Sequence, residues 1–228
     1  MDVKSADIFS NTCKISAMKK IIQNPLVAFF ATLFVIALLS LLGPEEKSLG
    51  ANVRIVYLHG AWVLAAEVAF ACAALAGFLG LLAGRVAPLA GRQSALYDWS
   101  SALGRTGTVF WVTYLPLSLW AMQANWNGLF LAEPRFRLAL TFAVVGVLLQ
   151  VGLWLLSLPW ATALGNILFI VILRYVFSAA DYVMHPPPSP IFNSGISVVI
   201  VFFIGLIALT GLAAWFLTRF WLGLQKAK

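Results

Sequence analysis

Long, nearly uninterrupted runs of apolar residues alternate with short polar segments along the chain. An α-helix needs about 20 apolar residues to cross ~30 Å of hydrocarbon, and six runs reach or approach that length. The runs are continuous, and they exceed the roughly ten residues of a membrane β-strand. The pattern therefore predicts an all-α integral membrane protein with six transmembrane helices, over residues 25–42, 55–84, 103–122, 138–158, 160–177 and 197–221.

Composition supports the membrane class. Of the 228 residues, 62% are hydrophobic and 10% are charged, whereas about 25% of the residues of a soluble domain are charged. Such sparse charge does not cover a water-facing surface, which excludes a soluble nucleotide-binding or nucleic-acid-binding protein. The predicted organisation is a cytoplasmic segment over residues 1–24, a six-helix membrane domain over 25–222 and a cytoplasmic tail over 223–228.

The positions of Lys and Arg predict the orientation, because cytoplasmic loops carry an excess of both. With the N-terminus inside, four of these residues fall on the outer side: Lys47, Arg54, Arg135 and Arg137. Ten fall on the inner side: Lys4, Lys14, Lys19, Lys20, Arg85, Arg92, Arg105, Arg219, Lys226 and Lys228. Both termini are therefore predicted to be cytoplasmic. The net charge of +7 does not indicate a nucleic-acid partner, since the cations lie between apolar runs rather than in one stripe.

The chain has two histidines, His59 and His185, and this topology sends both to the outer face. Two neutral imidazoles from separate segments are able to supply the axial nitrogens of a six-coordinate haem iron. A zinc site fits less well, because it needs three or four protein ligands. The alternative is that each histidine is an ordinary polar residue at the membrane interface.

The outer connection between the third and fourth helices adds candidate haem contacts. The rings of Trp120, Trp126 and Phe130 suit a flat macrocycle, and Arg135 suits a carboxylate such as a haem propionate. The alternative is an interfacial loop in which Pro134 begins a helix and the arginines anchor to lipid headgroups.

Glu67 and Arg174 fall inside predicted spans, where ionisable groups need a partner or a water-filled cavity. We expect the two to pair across the second and fifth helices, either as a structural clasp or as part of a proton or ligand path. The sequence contains no His-Glu-x-x-His and no phosphate-binding Gly loop, so binding or transfer is favoured over enzyme activity.

Two stretches resemble the CcmC-type haem-handling membrane proteins of bacterial cytochrome c maturation. Arg54-Ile-Val-Tyr-Leu-His59 is similar to that family's Arg-Ile-x-Tyr-x-His, and Met184-His185-Pro is similar to its His-Pro before the last helix. The number and spacing of helices from about residue 26 to 222 are similar too. The resemblance implies b-type haem at the outer face, with His59 and His185 as axial ligands and Arg54 in the haem-binding motif.

The outer loop departs from the family pattern, which is rich in Trp and ends in Trp-Asp-x-Arg. Here Trp120 and Trp126 remain, and Ala132-Glu133-Pro134-Arg135 stands in place of that motif. Arg135 matches the family residue, Glu133 keeps the acidic charge, and Phe130 replaces one ring.

Two functions follow from this mixture. The first is haem handling in the bacterial inner membrane, in which the protein presents haem for cytochrome c maturation together with an ABC-type haem exporter and a haem chaperone. The second is that of a divergent member recruited as an integral subunit of a larger respiratory or photosynthetic complex, with haem fixed as a redox centre or absent. Both histidines and the helix layout favour the first function, and the altered loop favours the second. The expected partners are haem, membrane lipids and other membrane subunits.

Overall fold

The computed structural model describes residues 24–85, 91–181 and 191–226. Most of this part of the chain is helical: α1 (Pro25–Leu41), α2 (Val53–Ala83), α3 (Gln93–Trp126), α4 (Pro134–Leu156), α5 (Pro159–Ser178) and α6 (Ser197–Lys226). A 3-10 helix over Phe192–Ser194 precedes α6, and the described residues contain no β-strand. The all-helical class predicted from the sequence is confirmed.

Four of the described helices, α2, α4, α5 and α6, are long and apolar enough to cross a membrane. Helix α1 is apolar but has 17 residues, which is about 25 Å at 1.5 Å per residue. Helix α3 has 34 residues, and its first half carries several polar side chains. The chain is therefore supported as a multi-pass membrane protein, and membrane crossing by α1 and α3 stays a prediction.

Local capping explains where several helices begin and end. Asn24 accepts a hydrogen bond from the backbone nitrogen of Leu26 at the start of α1. Glu133 caps α4 in the same way, and Pro134 follows it as the first helical residue, where its missing N–H costs nothing. Ser157 has a left-handed φ of 54° and ends α4. Residues 157–158 alone join α4 to α5, so these two helices form a tight hairpin.

Helix α3 is longer than the predicted span over residues 103–122. It begins ten residues earlier and ends four residues later. Polar residues before residue 103, such as Asp98, interrupt the apolar run without breaking the helix. The extension places Trp126 on the helix rather than in the loop, and Trp120 lies inside α3 as well, so helical geometry fixes the directions of both side chains.

Helix α2 lies at the centre of the bundle and packs against α3, α5 and α6. Small residues allow close backbone approach in a membrane. A Cβ added at Gly107 of α3 would lie 2.6 Å from Cδ1 of Phe70, and one added at Gly77 would lie 3.0 Å from Cα of Ala163 in α5. Helix α1 packs on α6, and α4 packs on α3 and α5.

Buried polar side chains tie the helices together. Asn166 of α5, which is 2% exposed, donates to the backbone oxygen and the hydroxyl of Ser100 in α3. Its Oδ1 accepts a hydrogen bond from Gln150 of α4 at 2.9 Å. The hydroxyls of Thr106 in α3 and Thr218 in α6 are also 2.9 Å apart. Since hydrocarbon offers no partner to polar groups, these bonds fix the relative positions of four helices.

Candidate functional site

A cavity of about 440 Å³ opens between α2, α3, α5 and the start of α4. Its size is within the roughly 300–1,000 Å³ of ligand-binding sites. The lining combines aromatic, apolar and charged side chains: His59, Val63, Glu67, Trp111, Tyr114, Ser118, Met122, Glu133, Arg135, Phe136, Arg174, Phe177 and Ser178. Two of the residues singled out from the sequence as haem contacts, His59 and Arg135, therefore line one cavity.

The α2 wall follows from helical spacing. His59, Val63 and Glu67 are four residues apart, so they lie on one face of the helix. Glu67 is displaced about 12 Å from His59 along the axis, because the helix rises 1.5 Å per residue. The cavity therefore runs from an imidazole near the start of α2 to a carboxylate two turns deeper.

An aromatic wall faces the histidine. The ring of Tyr114 lies 5.5 Å from the ring of His59, with 58° between the planes. Trp111 packs edge-on against Tyr114 at 5.1 Å and against Phe177 at 5.6 Å. The indole nitrogen of Trp111 donates to the backbone oxygen of Ala139 at 3.0 Å. This hydrogen bond holds the wall in a fixed orientation.

Like Trp111 and Tyr114, the lining residues Ser118 and Met122 were not singled out from the sequence. Both are buried and lie on the same face of α3 as Trp111 and Tyr114, at spacings of three and four residues. That spacing was the available signal. It was hidden because the other face of α3 also carries apolar residues.

The ion pair predicted between the second and fifth helices is present. The Nη1 atom of Arg174 donates to both carboxylate oxygens of Glu67, at 2.9 Å each. The Glu67 side chain is 23% exposed and the Arg174 side chain is 61% exposed. Both residues line the cavity, so the pair closes its deep end.

Arg135 enters the cavity from the first turn of α4. Oε2 of Glu133 accepts a hydrogen bond from the backbone nitrogen of Phe136 at 2.6 Å, which anchors that turn. Arg135 is partly buried along the cavity, whereas Arg137 is exposed. Helix α4 thus begins at Pro134, as in the alternative interpretation of this loop and four residues before the predicted span, and the two arginines point in different directions.

Trp126 and Phe130 lie outside the cavity lining. They pack against each other edge to face, with centroids 6.2 Å apart, across the turn that follows α3. Phe130 is 40% exposed. The structure therefore brings these two rings together but not against His59.

Arg54 and Trp120 lie in a different place, at a groove of about 320 Å³ between α1, α2 and α3. Nε of Arg54 donates to the backbone oxygen of Gly43 at 2.9 Å, and its guanidinium is 3.7 Å from Glu45. Arg54 therefore holds the loop between α1 and α2. Trp120 is 59% exposed at the rim of that groove.

His185 lies outside the described residues. The chain on either side of it is described as far as Asp181 and from Ile191 onwards. Ser178, in the last turn of α5, lines the cavity.

The cavity groups suit an amphiphilic ligand. A neutral imidazole is able to ligate a metal ion, the aromatic wall accepts a flat apolar ring, and a guanidinium pairs with carboxylates. No family model matches the chain, and none of the curated proteins or solved structures matches it. The chemistry of the cavity therefore carries the functional assignment.

Proposed function

We propose that this protein binds b-type haem in the cavity and presents it at the outer face of a bacterial inner membrane, as a divergent CcmC-type haem-handling protein. The observation that carries the proposal is the convergence of His59, an aromatic wall and Arg135 on one cavity. When bound, the haem supplies a redox-active iron within an apolar ring that bears two carboxylates. The role is binding and transfer rather than catalysis.

The cavity residues have separate tasks. His59 offers a ring nitrogen to the iron from the α2 wall. Trp111, Tyr114 and Phe177 provide the apolar surface that keeps the ring from water. Arg135, in the first turn of α4, pairs with a propionate. These residues are held by helices and a capped helix start, so the site is largely preformed.

His185 is the second residue that we propose would ligate the iron. It follows Ser178 of the cavity by seven residues, and seven extended residues reach at most about 25 Å. A side chain seven residues beyond Ser178 is therefore within reach of the cavity that Ser178 lines. The pairing of two histidines is also implied by the sequence resemblance, because residues 54–59 and 184–186 are both similar to the family motifs.

We propose six membrane spans with both termini in the cytoplasm. Helix α1 packs along α6 and α3 along α2, and both α2 and α6 are long enough to cross. The polar residues Ser100, Thr106 and Thr108 of α3 are buried against neighbouring helices rather than facing lipid. These polar residues contribute to the lower hydropathy of α3, and their burial keeps them away from lipid.

An ABC-type haem exporter and a haem chaperone are the proposed partners in haem handling. The turn before Arg135 exposes three large apolar residues in succession, Leu129, Phe130 and Leu131. Exposed apolar residues beside a ligand cavity suit contact with another protein or with the membrane surface. A partner there would meet the haem at the Arg135 side of the cavity.

One observation favours the second function, that of an integral subunit in a larger membrane complex. Trp120, Trp126 and Phe130 all lie outside the cavity that contains His59. The altered loop would then serve as a protein contact, with haem fixed or absent.

A spectrum of the purified protein separates the two functions. After expression with ample haem, haem handling predicts b-type haem in the pyridine haemochrome assay and a low-spin Soret spectrum with two imidazole ligands. Addition of a haem-free chaperone of the cytochrome c maturation pathway should then remove the haem. Haem that is stoichiometric but not released favours a fixed redox centre, and protein without haem overturns the haem proposal.

A further inference from the structure

A second groove, of about 550 Å³, lies at the other end of the bundle. It runs between α4 and α6, which do not contact each other within the described residues, and α3 forms its floor. On α4, Trp154 of this groove follows Phe136 of the His59 cavity by 18 residues, which is about 27 Å along the axis. That distance is close to the ~30 Å of a hydrocarbon core. The groove and the cavity therefore open at opposite membrane surfaces.

The floor of the groove carries a cation. Arg105 reaches from α3, and its guanidinium carbon lies 5.8 Å from the centroid of the Trp221 ring. Asp98 lines a smaller adjoining cavity that Arg105 shares, but within the described residues no carboxylate forms an ion pair with Arg105. A partly buried guanidinium without a counter-ion suits an anionic ligand.

Two buried polar atoms flank this cation without a partner. The indole Nε1 of Trp221 and the side-chain Oε1 of Gln225 are buried and have no hydrogen-bond partner among the described residues. Both side chains line the groove with Arg105. Leaving buried polar atoms unpaired is costly. A ligand that offers an acceptor to Trp221 and a donor to Gln225 would remove that cost.

The rest of the lining is apolar and faces the membrane. Val151, Trp154 and Leu224 line the groove, and each keeps more than a third of its surface exposed. The groove ends near the last turns of α4 and α6, where a lipid headgroup would be. Its shape therefore suits a ligand with a polar head and an apolar chain.

The charge around the groove has one dominant sign. Among the described residues, the cations at this end of the bundle are Arg85, Arg92, Arg105, Arg219 and Lys226, and Asp98 is the acidic residue there. Basic pockets between transmembrane helices are typical sites for anionic lipid headgroups.

We propose that this groove binds one anionic glycerophospholipid. Arg105 and the indole N–H of Trp221 hold its phosphate, and a headgroup hydroxyl donates to Gln225. One acyl chain lies along Val151 and Leu224, in the gap between α4 and α6. The bound lipid fills that gap and acts as a structural part of the bundle.

Native mass spectrometry of the detergent-solubilised full chain tests the proposal. The protein is stripped of lipid and titrated with dioleoylphosphatidylglycerol, with dioleoylphosphatidylcholine and with inorganic phosphate. We expect one phosphatidylglycerol to bind about ten-fold more tightly than phosphatidylcholine, as one guanidinium contact would give. Millimolar inorganic phosphate should not displace it, because phosphate lacks the acyl chains.

Matched variants locate the site. Arg105→Gln should remove the preference for phosphatidylglycerol. Trp221→Phe removes the N–H donor but keeps an aromatic ring, and it should weaken binding about three-fold. Arg219 is the control, because it is exposed over Trp215 and does not line the groove. Arg219→Gln should bind as the unaltered protein does.

Three results would overturn the proposal. The first is equal binding of the two lipids, and the second is equal loss in the Arg105 and Arg219 variants, which would indicate general electrostatics. The third is displacement by inorganic phosphate, which would indicate a phosphate site. If Arg105→Gln does not fold, Trp221→Phe and the competition with phosphate still decide the outcome.

Discussion

Arg174 of α5 and Glu67 of α2 form an ion pair in which one guanidinium nitrogen donates to both carboxylate oxygens at 2.9 Å. The pair joins two helices that pack directly on each other and lies on the wall of the cavity that contains His59. It therefore contributes both to the stability of the helix bundle and to the polarity of the cavity.

As a structural clasp, this pair should show energetic coupling. Arg174→Gln should lower the free energy of unfolding in detergent by about 1–3 kcal/mol, because it leaves the mostly buried Glu67 carboxylate without its partner. Glu67→Gln should lower it by about 0–1 kcal/mol, because the Arg174 side chain that it leaves is 61% exposed. The double variant should lose less than the two single losses combined. Thermal unfolding of the four proteins measures this coupling, and strictly additive losses would exclude the clasp.

Asn166 should be the most sensitive polar residue of the core. Asn166→Leu has a similar volume but leaves Ser100 and Gln150 without their cross-helix partner, so it should cost about 1–3 kcal/mol. Thr210→Val is the control, since the Thr210 hydroxyl bonds within its own helix to Leu206. Denaturation in mixed micelles should separate the two variants, and equal losses would contradict the role of Asn166.

Gly107 should not tolerate a larger side chain. In Gly107→Ala, the new methyl group would lie 2.6 Å from the buried ring of Phe70, which is itself packed on Phe169 at 4.8 Å. We expect a loss of about 1–3 kcal/mol in stability.

Gly152→Ala is the control for this prediction. Gly152 is also helical, but an added Cβ there meets nothing within 4 Å, so the better helix propensity of Ala should make the change neutral or favourable. A stable Gly107→Ala protein would show that α2 and α3 pack less closely than described.

The arginines at the start of α4 make a direct test of ligand pairing. Arg135 faces the cavity and Arg137 is exposed. Arg135→Ala should weaken haem binding about five- to a hundred-fold, the equivalent of roughly 1–3 kcal/mol for a charge-assisted bond. Arg137→Ala should leave it unchanged. Equal, small effects in a haem titration would instead assign both arginines to lipid headgroups.

Part of the site is predictable from helical spacing in the sequence. The four-residue steps from His59 to Glu67 place both on one face of α2, and Pro134 as a helix start separates Arg135 from Arg137 by about 200°. The pairing of Glu67 with Arg174 followed from the cost of ionisable groups in hydrocarbon. Each of these relationships depends only on the geometry of a single helix or on the energetic cost of an unpaired charge in hydrocarbon.

Other parts of the site depended on tertiary packing or on exact helix ends. Trp120 was assigned as a haem contact, but it lies on α3 about 200° away from Met122 around that helix. Arg54 is likewise about 140° from His59 on α2. Membrane helices are apolar towards both lipid and core, so hydrophobic periodicity did not reveal that Tyr114 and Met122 line the cavity.

A haem titration of two α2 variants, monitored by the Soret spectrum, tests the central claim that His59 binds haem iron. His59→Ala should lose the low-spin, two-imidazole spectrum and either become five-coordinate or fail to retain haem. Leu58→Ala, at the neighbouring position that faces the groove beside Arg54, should bind haem as the unaltered protein does. A low-spin spectrum and an affinity unchanged in His59→Ala would contradict the account.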